Sequence, residues 1–438
     1  MSIELGYARR GCRRHDDAWA APDAPIAVRA GPSPLGGFGL FASEDVPRGA
    51  TLAACPLSKL LRASGALRDP IIGEPLATLR DKIDDRALLW ILLMHCRDRG
   101  DLHNVYVTSL PGDELVKSLP MHWSAEDLRQ LEGTPLFKQA ATRREELRAF
   151  YDDVVVGQLH SRWPAVFPKK VFSWPELCRA HAVFWSRAIT LTIDGAREEC
   201  LVPLLDIANH RPGAGDVEVR VEGGRYVLTA ARALSKGDEV FLNYGAKGNG
   251  ELLRDHGFVL SNNAADVHEL CIDELNPLNL SGPDLAARHA HLRRLKLPRR
   301  HFLFGGFDLP PDLLPAARIL CVAAAGLAAA TVPPADEAPF DWNSVDWAAD
   351  EAVVDEGRSP VSAADEAATL AALKDLLKKR LKAMPVPSAA EQAWLEREES
   401  AAGCSEAALV YRAGQRFLVL RAITTTLRSM RRLELQAS

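Results

Sequence analysis

The sequence predicts an α+β fold, on three observations. Short β-patterned runs broken by glycine turns occupy residues 26–60 and 200–245. A helical pattern fills about 75–185 between them, and an Ala- and Leu-rich helical pattern follows beyond about 275. The length of 438 residues suggests two or three structural units, and 47% hydrophobic with 25% charged residues is an ordinary globular composition. A formal net charge of -5 argues against a nucleic-acid partner, whose phosphates call for clustered Lys and Arg. The short basic runs Lys378-Lys379-Arg380 and Arg431-Arg432 read as solvated helix faces. No two of the eight cysteines form a C-x-x-C pair, so a zinc site is not expected and the thiols read as reduced and intracellular. The first twenty residues lack a continuous apolar segment, and Glu4, Asp16 and Asp17 weigh against a transit peptide. The longest apolar stretches, ALLWILLM at 87–94 and ILCVAAAGLAAATV at 319–332, are too short to span a bilayer. The expectation is a cytoplasmic monomer with no membrane and no metal.

Taken in order, IAVRAG is a short β run, Gly36-Gly37-Phe38-Gly39 turns the chain into LFASEDV, and Pro47-Arg48-Gly49 turns it into TLAACPLSKLL. IDDRALLWILLMHCRDRG opens with acids, carries its arginines late and ends at Gly100, as a helix dipole and a glycine stop require. SAEDLRQLEG and REELRAFYDDVVVGQLH continue at helical spacing, and WPELCRAHAVFWSRAI follows Ser173 as N-cap. LVPLLDIANH reads as an apolar strand, EVRVEGGRYVL as a hairpin around Gly223-Gly224, and Lys236-Gly237-Asp238 as the turn into EVFLNYG. Between Pro333 and Gly357 lie eight acids and no Lys or Arg, an acidic loop in which Trp342 and Trp347 are potential anchors. Ser362 with Asp365 resembles a capping box opening AATLAALKDLLKKRLKA, which Pro385 and Pro387 close.

Three segments carry chemistry together: GGFGLFASEDVPRGATL at 36–52, LVPLLDIANH at 201–210 and EVFLNYGAKGNGELLRDHGF at 239–258. Read singly, each has a structural explanation. The glycines suit a tight turn or close backbone approach, Asn209-His210 a buried hydrogen-bonded pair, and Tyr244 the packing of a strand. Asp206 with His210 lacks a third ligand at metal-binding spacing. Arg187 is either a helix-end cap or a carboxylate-binding fork.

In their order and spacing the three segments resemble the SET-domain protein methyltransferases, and within them the subfamily of the Rubisco large-subunit and actin-histidine methyltransferases. The resemblance implies an N-terminal extension at 1–25 and a SET domain at 26–265 with a helical insert at about 75–185. An α-helical substrate-binding domain follows at 275–438, its acidic loop at 333–357. It implies S-adenosyl-L-methionine as cofactor, held by Gly37, Phe38, Gly39, Arg187, Asn209, His210, Gly257 and Phe258, with Asp206 structural. Tyr244 is implied as the catalytic residue, and Ile189, Tyr244 and Phe258 as the substrate channel. Lys247-Gly248-Asn249-Gly250 stands where that subfamily commonly has Lys-Ser-Asn-Ala, and the extra glycines are expected to loosen the turn. Because Ala188 and Ile189 are apolar and an imidazole needs a polar partner to fix its tautomer, the acceptor is expected to be a lysine of a non-histone protein. A protein-histidine methyltransferase and an inactive SET-like interaction module are the alternatives.

Overall fold

The computed structural model describes residues 26–97, 102–193, 195–213, 215–275, 277–305, 309–321, 363–397 and 403–437. The N-terminal extension, the acidic loop, Gly100 and Ser362 lie outside the described residues. The chain divides into two units: the first comprises residues 1–123, 140–247 and 251–257, the second 124–139, 248–250 and 258–438.

In the first unit, glycine- and proline-broken runs too short to fold alone pair into three small antiparallel sheets. Strands β1 (Val28–Pro32), β2 (Phe38–Ala42) and β9 (Glu239–Val240) form one, in that order, and β3 (Thr51–Pro56), β8 (Arg225–Ala230) and β7 (Val217–Glu222) a second. The third runs β4 (Leu61–Arg62), β6 (Ala196–Leu201), β5 (Ile189–Ile193), so β5 and β7 are both edge strands. The β7–β8 hairpin turns at Gly223-Gly224 as the sequence predicts, with Glu222 opposite Arg225. Leu40, Leu52, Leu205, Tyr226, Leu228 and Val240 fill the core that these sheets share. A second core is helical: Asp85–Arg97 and Trp174–Arg187 pack Leu88, Ile91, Leu92 and Leu93 with Leu177, Val183 and Phe184. Ser173 occupies the predicted N-cap position, but its hydroxyl makes no capping bond. Helix Pro135–Phe150 runs directly into a π-helical segment, Tyr151–His160.

In the second unit, β10 (Val267–Cys271) and β11 (Arg300–Phe304) pair, and helices Leu313–Cys321, Ala363–Ala383 and Cys404–Ala437 bury Leu320, Leu373, Leu377 and Val419. The region beyond 275 is therefore not wholly helical, since His301 and Leu303 are the inward positions of a strand. The glycines of GAKGNG do not loosen their turn. A Cβ at Gly248 would come 3.1 Å from the Ala265 carbonyl, and one at Gly250 3.2 Å from the Tyr411 hydroxyl, so both are small because the backbone is crowded. Between them Asn249 is buried, its side chain bridging both polar groups of the Leu260 backbone at 2.9 Å.

LVPLLDIANH departs most from expectation. Only Leu201 belongs to a strand. Pro203 has no N–H to give a ladder, Leu204 takes φ 69°, and Leu205–Ile207 form a 3₁₀ turn before His210 bridges in parallel to Leu242. A buried leucine held in that conformation is a local strain that the surrounding core must hold in place.

Candidate active site

The turn Leu205–His210 organises the site, because it bonds to the β1–β2–β9 sheet, to Arg187 at the end of helix Trp174–Arg187 and to Tyr244. Asn209 Nδ2 donates to the Phe38 carbonyl at 3.2 Å and to Glu239 Oε1 at 2.8 Å, and the Ser33 hydroxyl holds the same carboxylate at 2.9 Å. Gly39 lies under this knot. A Cβ there would overlap Glu239 Oε1 and lie 3.1 Å from Asn209 Nδ2, so a larger residue would push this knot apart. Gly37 is an exposed turn residue at φ 65°. Phe38, Gly39 and Asn209 are thus brought together, and Glu239, which the sequence reading missed, is what joins them.

The second group surrounds Tyr244. Its hydroxyl donates to the Ala208 carbonyl at 2.8 Å, and its backbone N–H donates to His210 Nδ1 at 3.1 Å. Its ring stacks on both His210 and His256, each with centroids 5.0 Å apart and planes 30° apart. Burial pushes the Tyr244 phenol up to about 12, against the opposing pull of Arg187, so it stays neutral. Burial also lowers His210, and brings His256 down to about 4 although Asp255 works the other way. Both rings are uncharged at neutral pH.

Arg187 ends helix Trp174–Arg187 but does not cap it. Its Nη1 donates to the Asp206 backbone carbonyl at 2.9 Å, while Nε is buried with no partner. Asp206 accepts from the Tyr106 hydroxyl, and burial raises its carboxyl to about 6 despite Arg187 and Tyr106. It therefore braces the turn from within the fold. Gly257 takes φ 76° where a Cβ would overlap the Ser118 hydroxyl. Phe258 belongs to the second unit, where it is half-buried.

Arg187, Ile189, Asp206, Tyr244 and His256 line one cleft of about 780 Å³ in the first unit. Residues 187–192 and 219–221 also line it, which puts the edge strands β5 and β7 on its walls with Val219 and Val221 exposed. Among the described residues no group of three His, Cys, Asp or Glu side chains is placed to hold a metal. His256 was legible as the residue before Gly257 in DHGF and was passed over. Tyr106 carried no signal.

A SET-domain family model matches residues 37–245, and a Rubisco LSMT substrate-binding model matches residues 280–418. The actin-histidine N-methyltransferase of Canis lupus familiaris is 26% identical over 240 residues, covering 52% of this chain and 39% of that protein. That of Rattus norvegicus is 26% identical over 301 residues, covering 65% of this chain and 48% of that protein. The chain thus spans less than half the length of these relatives. Rubisco LSMT bound to AdoMet superposes with a TM-score of 0.75 at 17% identity, over 96% of this chain and 91% of that one. The SET domain of LSMT bound to lysine and AdoHcy gives 0.73 at 17% identity, over 96% and 90%. The fold is the same; at that identity the likeness extends no further.

Proposed function

We propose, on the premise that this chain joins a SET domain to a Rubisco LSMT substrate-binding domain, that it is an S-adenosylmethionine-dependent methyltransferase acting on lysine side chains of a protein. The observation that carries the reading is Tyr244, held by Ala208 in a cleft walled by two edge strands. Edge strands present unpaired backbone groups, which suits an extended polypeptide substrate. The donor set suits the cofactor: the buried Arg187 Nε has no partner, and a guanidinium fork fits a carboxylate. On this reading Gly37, Phe38, Gly39, Arg187, Asn209, His210 and Gly257 hold S-adenosylmethionine, which supplies an electrophilic methyl carbon on a sulfonium.

The chain's own residues then align the acceptor. Because Tyr244 gives its hydroxyl hydrogen to Ala208, its oxygen lone pairs are left to accept an N–H from the substrate amine. Ala188, Ile189, Val219 and Val221 offer an aliphatic wall for a lysine stem. Burial in such a cleft disfavours the ammonium form, whose unperturbed pKa is about 10.4, and so exposes the lone pair. One observation favours histidine as a second reading: the His256 ring brings polar nitrogens to the cleft that the run Ala188-Ile189 does not reveal.

Incubation with labelled S-adenosylmethionine and a cell lysate, followed by peptide mass spectrometry, tests the proposal. Methyllysine supports it and methylhistidine supports the second reading. Cofactor binding without any transfer would leave a protein-interaction module.

A further inference from the structure

Trp185 lies two residues before Arg187, in the last turn of helix Trp174–Arg187. The carbonyls of a last turn have no partners further along the helix, so side chains must hold it in place. Two guanidiniums lie over the Trp185 ring, Arg143 at 4.0 Å from its centroid and Arg86 at 4.9 Å. Each is fixed by a carboxylate from another element. Arg86 gives Nε and Nη2 to Glu199 of β6 at 2.7 and 3.0 Å, and Arg143 pairs with Asp255 in the segment Leu252–His256. Burial would raise the Asp255 carboxyl, but Arg254 and Arg143 bring it down to about 2, so it stays charged at neutral pH. Arg143 is the closer of the two arginines and the less solvated, with 15% of its side chain exposed against 45% for Arg86, so its contact with the ring is the stronger. Trp185, Arg187, Glu199 and Asp255 line the cleft, whereas Arg143 and Arg86 do not.

We infer that Arg143 is a positioning residue for Arg187, acting through Trp185. This rests on the proposed S-adenosylmethionine site and deepens it. Arg187 has Nη1 on the Asp206 carbonyl and a buried Nε with no partner, so the direction of that Nε depends on where the last helical turn is held. Arg143 ties the turn to the segment Leu252–His256, and the fork that receives the cofactor carboxylate keeps one direction before the cofactor arrives. Preorganisation of this kind strengthens binding without any contact to the ligand. Lysine at 143 would keep a charge beside Asp255 but has no planar face to lay on the indole.

A double-mutant cycle on S-adenosylhomocysteine affinity, measured by calorimetry, tests this with Arg143→Met, Arg187→Met and the double variant. The expected result is an affinity at least about threefold weaker in Arg143→Met alone. In the Arg187→Met background the same substitution should change affinity by less than about twofold, because Arg143 acts only through Arg187. A residue that merely stabilised the fold would show no such dependence on Arg187. Removing one partner of a buried ion pair is costly, so if Arg143→Met does not fold, Arg143→Lys takes its place in the cycle with the same expectation. Losses that multiply in the double variant, or a loss below about threefold in a folded Arg143 variant, would overturn the inference. Wild-type affinity in Arg187→Met would instead remove Arg187 from the cofactor site, and absence of binding by the wild-type protein would overturn the methyltransferase reading itself.

Discussion

Asn209 ties the Phe38 carbonyl and the Glu239 carboxylate with one amide, so its removal leaves that carboxylate with Ser33 alone of its two side-chain donors among the described residues. Asn209→Ala is expected to cost about 1–3 kcal/mol of stability and to weaken S-adenosylmethionine binding at least tenfold by calorimetry. Unchanged affinity in a folded variant would remove Asn209 from the cofactor site. Asp206 makes a prediction in pH. Burial pushes its carboxyl up to about 6 in the fold, from 3.8 for the free side chain. Such a group favours the folded state most below about 4, and that contribution is lost as pH rises through about 6. Asp206→Asn removes the ionisation, so its stability relative to wild type should climb between about pH 4 and 6 by up to about 3 kcal/mol and then level off. Denaturant unfolding across that range measures it, and a flat difference would contradict the assignment. Of these residues, Tyr244, Arg187 and the Asn209-His210 pair were legible because they sit in short ordered motifs. Glu239 and Tyr106 were not, since their roles arise from contacts between segments far apart in sequence, whereas His256 stands inside the motif DHGF.

At the scale of elements, local chemistry was readable wherever pattern and turn agreed. The β7–β8 hairpin and helices Asp85–Arg97 and Trp174–Arg187 follow from glycine pairs and from apolar spacing. LVPLLDIANH misled because its apolar run reflects burial on every side, which a packed turn produces as readily as a strand. Strand β5 was missed despite the alternation in ITLTI, whose Leu191 and Ile193 are buried and whose Thr190 and Thr192 are exposed. The helical composition of its surroundings outweighed five residues of period two. Gly257 gives the element-scale test: its φ of 76° and the Ser118 hydroxyl in the place of a Cβ leave no room for alanine. Gly257→Ala should lower stability by about 2 kcal/mol or more, read as a fall in Tm, and should impair transfer by displacing His256. A variant with wild-type Tm would show that the helix end is not fixed there.

For the molecule as a whole, two family models cover residues 37–245 and 280–418, and no helix among the described residues is long and apolar enough to cross a membrane. On the proposed function, methyl transfer depends on alignment rather than on a charged base, since burial keeps Tyr244 and His256 neutral. The rate should then rise from pH 7 to about 9 as the acceptor lysine loses its proton, with no break from either ring. The Tyr244 hydroxyl has a structural partner in Ala208, so Tyr244→Phe should cost about 1 kcal/mol of stability while leaving the stacked ring in place. The most direct test is the single-turnover rate of methyl transfer by wild type and Tyr244→Phe at saturating cofactor. The prediction is at least a tenfold slower rate in the variant, about 1.4 kcal/mol of barrier, with cofactor affinity retained. Transfer at the wild-type rate by a folded Tyr244→Phe variant would contradict the account.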